Sequence, residues 1–486
     1  MEYLPLYSVV IPLLAGGIML LCHRSALAIK FLALMGSALS FAACAAMLPA
    51  LAAGQTLGTS QGYLSFPLQI YFQADGVSIF FAVIFSFCFL LAIIYSFGYM
   101  SHGHAKLRYY ALLLVAQSAI LGVVTTSSLV GLFLFFELLA VVSYLLVIHE
   151  EDAVAMSAGA KYLFMTIVAG FAIFFGLVVT YFLAGRLDYL SGGYVAASPL
   201  AGAALFAFLL GCGLKAGMFP LHIWLPDAHP AAPAPVSALL SGCMIKTGVY
   251  GLIRVLHYVY TPEAIRAVWY DHVLLWLAVI TIFLGSALAL QQDHLKRRLA
   301  YSSVAQIGYV LLGMALMSEQ ALQGALFHIF SHALMKGTLF FCAGAIVTQT
   351  GKKYVSQLHG IGQEMPFTMF SFALAAVTIV GIPPFNAFFS KWHLAAASLA
   401  AGQEILVAVL ILSSLLNALY YFPIVINAFF GGETEEKKFG AVWLRDKIPR
   451  SMVWSTALLA FLCVLFAFVQ PHWPMELARR IAVGIF

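Results

Sequence analysis

The sequence predicts an all-α protein that crosses a lipid bilayer about fourteen times. Three observations carry that expectation. Of the 486 residues, 63% are hydrophobic and only 9% are charged, whereas a soluble domain carries roughly 25% charged residues. Apolar runs of about 20 residues recur along the chain, each long enough to cross a hydrocarbon core roughly 30 Å thick. The alternation of a β-barrel strand is absent, and in lipid an apolar run satisfies its own backbone groups only as a helix.

In chain order the runs fall at roughly 4–22, 27–50, 76–100, 109–126, 128–148, 160–184, 200–224, 236–260, 271–290, 299–317, 322–347, 366–400, 404–430 and 451–470. The first, in MEYLPLYSVVIPLL, has no basic stretch ahead of it, so it reads as a spanning helix and not as a cleaved signal peptide. Loops on one side of these runs hold fifteen cations: Arg24, Lys30, Lys106, Arg108, Lys161, Lys296, Arg297, Arg298, Lys352, Lys353, Lys437, Lys438, Arg445, Lys447 and Arg450. Loops on the other side hold Arg186, Arg266, Arg479 and Arg480. Basic loops stay in the cytoplasm, so both termini are expected on the non-cytoplasmic side of a cell inner membrane. The net charge of +5 is thereby accounted for by the lipid bilayer, and nucleic acid is excluded as a partner. The seven cysteines all lie in apolar runs without a CxxC pair, which argues against disulfides, iron–sulfur clusters and zinc. With no GxGxxG or Walker pattern either, no cofactor is expected in this chain.

Five of the 24 Lys and Arg residues, Lys215, Lys246, Arg254, Lys336 and Lys391, fall inside apolar runs or close to their ends. A cation at the bilayer centre costs about 2.5–3.5 kcal/mol, so five cost roughly 15 kcal/mol. That equals the whole net stability of an ordinary protein. Such residues persist where they face a hydrated or paired interior, which makes them functional candidates. Glu137, in GLFLFFELLAVVSYLLV, joins them as the one carboxylate at the centre of a run. Alone it would stay protonated; a nearby lysine keeps it ionised.

Lys215 precedes a segment, GMFPLHIWLPDAHPAAPAPV, that holds five of the eighteen prolines. Proline removes a helix hydrogen-bond donor, so this run breaks, and broken backbone at membrane depth survives only inside protein or around a wet cavity. VGIPPFNAFFSKWHL breaks a second run at Pro383 and Pro384, ahead of Lys391. Two interrupted helices in corresponding positions mark internally repeated transporters. Lys246 and Arg254 lie eight residues apart and project roughly the same way. Snorkelling to the membrane surface competes with a pathway role for each lysine, and most of all for Arg254, which is nearest the end of its run. His328, His332 and Lys336 recur at four-residue steps, on one helix face. Histidines in such a place suit proton relay or structural hydrogen bonding; a zinc site lacks the HExxH glutamate and a third ligand.

Taken together, FFELLAVVSYLLV, GLKAGMFPLHIWLPDAHPAAPAPVSALLSG, KTGVYGLIR, DHLKRRLAYSSVAQIGYVLLG, HIFSHALMKGTLFFCAG and GIPPFNAFFSKW resemble the antiporter-like subunits of respiratory complex I, Mrp-type cation/proton antiporters and membrane-bound hydrogenases. The resemblance implies two inverted five-helix repeats, residues 109–260 and 271–430, each with a broken helix. Flanking helices would occupy 1–108, and a last helix with a short tail 451–486. It implies that Glu137 pairs with Lys215, that Lys246 is the central lysine and Lys391 the exit residue, and that His328 and His332 link the repeats. It also implies partners: antiporter-like paralogues, small membrane subunits and a redox arm. The stop about 16 residues after the last run, and lysine at 391 where some paralogues carry glutamate, favour the Lys-bearing members. Those include the Mrp D-type member and the complex I subunit nearest the small membrane subunits.

The expected activity is proton translocation within a redox-driven complex of the complex I or hydrogenase type, by a chain with no redox site of its own. Making or breaking the Glu137–Lys215 pair changes how tightly Lys215 holds its proton. Protons then pass through Lys246, by way of the histidines, to Lys391. The alternative is a component of an Mrp-type sodium/proton antiporter. A docking scaffold or an organic-substrate carrier has no need of Lys215, Lys246 and Lys391 together.

Overall fold

A computed structural model describes residues 1–21, 25–59, 70–431, 446–469 and 474–486. Cys22 and the loop cations Arg24, Lys437, Lys438 and Arg445 lie outside the described residues.

The chain opens with α1 (Leu4–Leu21) and α2 (Ala26–Ala45), which pack on each other. After the short α3 (Leu48–Ala52), strand β1 (Leu57–Gly58) pairs antiparallel with β2 (Gln73–Ala74), Leu57 opposite Ala74. Then come α4 (Gly76–Tyr99), α5 (Lys106–Thr125), α6 (Leu129–Val147), the 32-residue α7 (Ala153–Ala184) and α8 (Pro199–Ala216). Polar side chains start these helices. Asp75, Ser128, Asp152 and Ser198 each accept a hydrogen bond from a first-turn backbone N–H of α4, α6, α7 and α8, satisfying donors that lipid would leave bare.

The next span is irregular. α9 (Leu225–Ala231) and α10 (Ala234–Leu239) lead through a π-turn at Leu240–Met244 into α11 (Ile245–Arg254), which ends in a second π-turn at Val255–Val259. α12 (Pro262–Ala267), α13 (Tyr270–Gln291), α14 (Leu295–Ala315) and the 32-residue α15 (Glu319–Thr350) follow. Beyond the single turn α16 (Ile361–Glu364) lie α17 (Pro366–Val380), α18 (Asn386–Ala400), α19 (Ile405–Phe430), α20 (Arg450–Phe468) and α21 (Met475–Ile485).

Two spans form the axis of the bundle. The most apolar window of Ala234–Val259 is 100% buried and that of Glu319–Thr350 94%, against 39% for α1 and α19. The two central spans touch through α10, the first π-turn and α15. Peripheral helices turn phenylalanines outward, among them Phe164, Phe171, Phe174 and Phe182 of α7; such a surface belongs in lipid or against another apolar protein.

Among the described residues eleven helices are long and apolar enough to cross a membrane, and two shorter apolar helices accompany them. The chain is therefore an all-α, multi-pass membrane protein. The count of fourteen single runs is modified in two places. The run at 366–400 is two helices, α17 and α18, separated at Gly381, which sits at φ +88°, and at the Pro383–Pro384 pair. The run at 200–224 stops at Ala216, because Gly217 takes φ +73° and closes the helix. The last segment also differs from a plain tail, since α21 packs back on α3, α4 and α15.

Candidate functional site

Helix ends place the outer lysines. Lys215 is the penultimate residue of α8, where left-handed Gly217 stops the helix and frees backbone carbonyls. Leu214 O, which accepts the Gly217 N–H at 3.1 Å, also takes the Trp224 indole N–H at 3.0 Å, which ties the broken segment back to α8. Lys215 is buried, with Nζ 3.3 Å from Phe136 O and 3.9 Å from Glu137 Oε1. At 3.9 Å the ion pair is loose. Glu137 is 37% exposed on the flank of α6. Its Oε1 has no hydrogen-bond partner among the described residues. Gly170 of α7 leaves it room, since a Cβ there would lie 2.7 Å from that oxygen. The loose pair can open without breaking other bonds.

A small cavity of about 20 Å³ adjoins Lys215, lined among others by Ser143, Tyr162, Thr166 and Thr247. That volume holds about one water molecule. Lys246, next to Thr247, is fully buried on α11 and donates to Ser241 O at 2.5 Å inside the π-turn. Ser241 in turn bonds Ser303 Oγ of α14 at 2.7 Å. Widened π-turns cluster at functional sites because they displace backbone carbonyls from their helical partners.

On α15, Lys336 is also fully buried and donates to Leu299 O at 2.8 Å, to Ser302 Oγ and to Tyr421 Oη at 3.1 Å. His332 and His328 stack with ring centroids 6.1 Å apart, and His332 Nε2 has no partner among the described residues. His328 reaches Gln306 Oε1 at 3.0 Å and Ser390 Oγ at 2.8 Å. Lys391 lies one residue further on α18. Its Nζ donates to Val380 O at 2.8 Å and Ser414 Oγ at 2.9 Å, and rests 4.9 Å from the centre of the Tyr309 ring. Left-handed Gly381 turns α17 away from Lys391 and leaves the last α17 carbonyls free to receive it. All seven expected residues thus stand on α6, α8, α11, α15 and α18 around the two central spans.

Arg254 departs from both sequence readings. It does not snorkel, being 1% exposed, and it does not join the lysines. Its guanidinium forms two 2.6 Å bonds to Asp75, bonds Ser78 Oγ at 2.7 Å and Tyr250 Oη at 2.9 Å, and sits among the rings of Tyr189, Tyr250 and Tyr258. Asp75 is 179 residues away in sequence, and its only local mark is its place ahead of an apolar run.

Sequence reasoning missed further buried polar groups. Lys296, counted there as a loop cation, is buried and donates to Ala232 O at 2.8 Å across the α9–α10 break. His229 is fully buried, stacks on Phe340 and has no hydrogen-bond partner among the described residues. Asp227 binds both Lys161 of α7 and, at 2.6 Å, Arg297 of α14. The PDAH stretch between prolines was the available signal for His229 and Asp227; nothing local separates Lys296 from Arg297 and Arg298. Six cysteines are buried and free, and among the described residues no group of three His, Cys, Asp or Glu side chains converges to hold a metal.

Comparison with known proteins agrees with this architecture. Residues 126–417 match the family described as NADH:quinone oxidoreductase/Mrp antiporter, TM, and residues 62–110 match the N-terminus of chain 5 of complex I NADH-ubiquinone oxidoreductase. The N subunit of NADH-quinone oxidoreductase from Desulforudis audaxviator is 37% identical over 72% of this chain and 71% of its own. The D-type Na(+)/H(+) antiporter subunit of Bacillus subtilis is 25% identical over 94% of this chain and 92% of its own. Hydrogenase-4 component B of Escherichia coli is 28% identical over 81% of this chain, which spans 62% of that longer protein. Chains in the Mrp complex of Dietzia sp. and in respiratory complex I of Thermus thermophilus share the fold, with TM-scores of 0.88 and 0.73. Their identities are 22% and 23%, over 100% and 95% of this chain and 97% and 98% of theirs. From both the matched length and the identity, the chain belongs to the NADH:quinone oxidoreductase/Mrp antiporter transmembrane family.

Proposed function

We propose that this chain carries protons across the membrane as a non-redox subunit of a redox-driven complex. The observation that carries the reading is a row of four buried lysines, Lys215, Lys246, Lys336 and Lys391, whose ammonium groups rest on carbonyl and hydroxyl oxygens. Among the described residues only Lys215 of these four also faces a carboxylate, and that pair is loose. A buried lysine held by neutral oxygens can lose its proton without stranding an anion, whereas one locked to an acid cannot. Arg254, locked to Asp75, illustrates the contrast.

In this reading a neighbouring subunit covers the half-exposed Glu137. A movement there separates Glu137 from Lys215, and the proton leaves Lys215 for Lys246. His332, His328 and Lys336 then carry it along α15 toward Lys391 and the far side. Ammonium groups repel metal cations and cannot ligate them, which favours protons over sodium. The row divides naturally at residues 109–260 and 271–430. Each half has a 32-residue helix third in order, followed by a span that breaks at a left-handed glycine beside a lysine. Residues 1–108 and 451–486 flank them. The names of the relatives, subunits and components of oxidoreductase, hydrogenase and antiporter systems, support membership of a multisubunit complex; in this reading the partners are paralogous and small membrane subunits, with a redox arm outside this chain. The multi-pass fold agrees with a cell inner membrane location, and in this reading the chain itself binds no cofactor. The loop cations further support both termini facing away from the cytoplasm.

The test uses everted vesicles that hold the assembled complex, energised with a respiratory substrate and read by a pH-sensitive dye. Lys246→Ala and Glu137→Ala are expected to cut proton uptake about a hundredfold, the low end of what a positioned proton-transfer group contributes. Uptake intact in both variants would sink the proposal.

A second reading is favoured by the near full-length match to the D-type antiporter protein of Bacillus subtilis. There the same row exchanges protons for sodium entering through other subunits. A sodium pulse that discharges the vesicle gradient, lost in Lys246→Ala, would select it.

A further inference from the structure

His328 is fully buried, and so are the two side chains that hold its ring nitrogens, Gln306 and Ser390. They come from different helices, Gln306 from α14 and Ser390 from α18, with His328 between them on α15. Counting protons over these contacts shows an asymmetry. Gln306 presents its amide oxygen to Nε2 at 3.0 Å, so Nε2 carries a hydrogen in every state. Ser390 Oγ, 2.8 Å from Nδ1, also lies 2.9 Å from Ala387 O, which can only accept. A hydroxyl has one proton to give. When Ser390 donates to Ala387 O, its lone pair faces Nδ1, and Nδ1 must carry a hydrogen; the ring is then a cation. When Ser390 turns and donates to Nδ1, that nitrogen is bare and the ring is neutral.

We infer that Ser390 is a positioning residue for proton transfer at His328, a hydroxyl rotor that keeps Nδ1 bonded in both protonation states, while Gln306 fixes the hydrogen on Nε2. The inference rests on the translocation reading. His328 gains one proton at Nδ1 and later gives up one, with a single positive charge in between. Ser390 only rotates, exchanging its hydrogen bond to Ala387 O for one to Nδ1, and apart from the N–H no covalent bond is made or broken. Without the hydroxyl, Nδ1 is unpaired in both states, and the charged state, whose N–H then has no acceptor in a dry interior, is penalised more. Ser390 also ties this histidine to α18, the helix that bears Lys391, and the Tyr309 ring lies against both His328 and Lys391.

The experiment compares Ser390→Thr, Ser390→Cys and Ser390→Ala in vesicles holding the assembled complex, with proton flux divided by the amount of complex on a native gel. Lys246→Ala and Glu137→Ala are the controls for the row itself. A rotor role orders the flux Thr above Cys above Ala, with Ala down about tenfold through the unpaired nitrogen. It also gives Ala a raised solvent deuterium isotope effect that Thr does not show. A packing role gives the opposite order, because α15 approaches α18 closely at Gly324, beside Ser390, and the larger Thr would fit worst. Thr worst, or all three variants alike, overturns the inference and leaves the translocation reading standing if Lys246→Ala is inactive. Full flux in both Lys246→Ala and Glu137→Ala overturns both. If Ala fails to assemble, the Thr-to-Cys order decides alone.

Discussion

Each buried charge in this protein is held in one of two ways. Lys215, Lys246, Lys336 and Lys391 rest on neutral oxygens, whereas Arg254 is clasped by Asp75 and enclosed by three tyrosines. The two arrangements predict different responses. Removing one partner of a buried pair strands the other, at a cost of about 3–5 kcal/mol, while replacing both with apolar residues is near neutral. Asp75→Leu and Arg254→Met should therefore each depress the amount of folded protein far more than the double variant does, measured as thermal unfolding in detergent. Just beyond the end of α6, the buried His149 is held down to about 4 by burial, reinforced by the charges of His104 and Arg108. An unfolded histidine titrates near 6.5, so between about pH 6.5 and 4 the unfolded chain binds the extra proton and stability falls as pH falls. The melting temperature of His149→Leu should fall less steeply over that window.

At the scale of helices, the two interruptions are the devices that put lysines where lipid would not allow them. Gly217 and Gly381 both take left-handed backbone, which costs a residue with a Cβ roughly 1–2 kcal/mol. Their surroundings differ. A Cβ on Gly217 would meet only Leu225 at 3.8 Å, whereas one on Gly381 would come within 3.1 Å of the Lys391 side chain. Gly217→Ala should lower stability by about that backbone amount and leave flux largely intact. Gly381→Ala should in addition push Lys391 from the α17 carbonyls and reduce flux, in the same vesicle assay. Asp227 serves the first interruption in another way, since its carboxylate binds Lys161 of α7 and Arg297 of α14 at once and clamps α9 between them.

For the whole molecule, the burial gradient separates two kinds of surface. The central spans are closed off, and the outer helices expose phenylalanine and leucine. Glu137, half-exposed at the edge of this apolar surface, is out of place in lipid, and a neighbouring subunit over α6 and α7 would relieve it. The proposed orientation is tested with a reporter that is active only outside the cytoplasm, fused to the N-terminus in one strain and the C-terminus in another. Both fusions should be active.

The fold class, and the seven buried or membrane-depth polar residues proposed as the pathway, were legible without coordinates, for a physical reason. A bilayer forbids every lipid-exposed backbone except a self-satisfied helix, so apolar length alone declares the spans. A charge in lipid is costly enough that each one stands out against its neighbours. The proline clusters likewise announced both breaks, because a missing N–H is a local fact. What a buried charge touches is not local. Asp75 meets Arg254 across 179 residues, Lys296 crosses to Ala232, and Gln306 and Ser390 reach His328 from two other helices. Composition declared that Lys246 and Arg254 needed help in the membrane. Local backbone, the carbonyl of Ser241 in the π-turn, holds Lys246, whereas only the packing of distant helices made Arg254 half of a closed ion pair, because such partners are set by contacts in space and not by spacing along the chain.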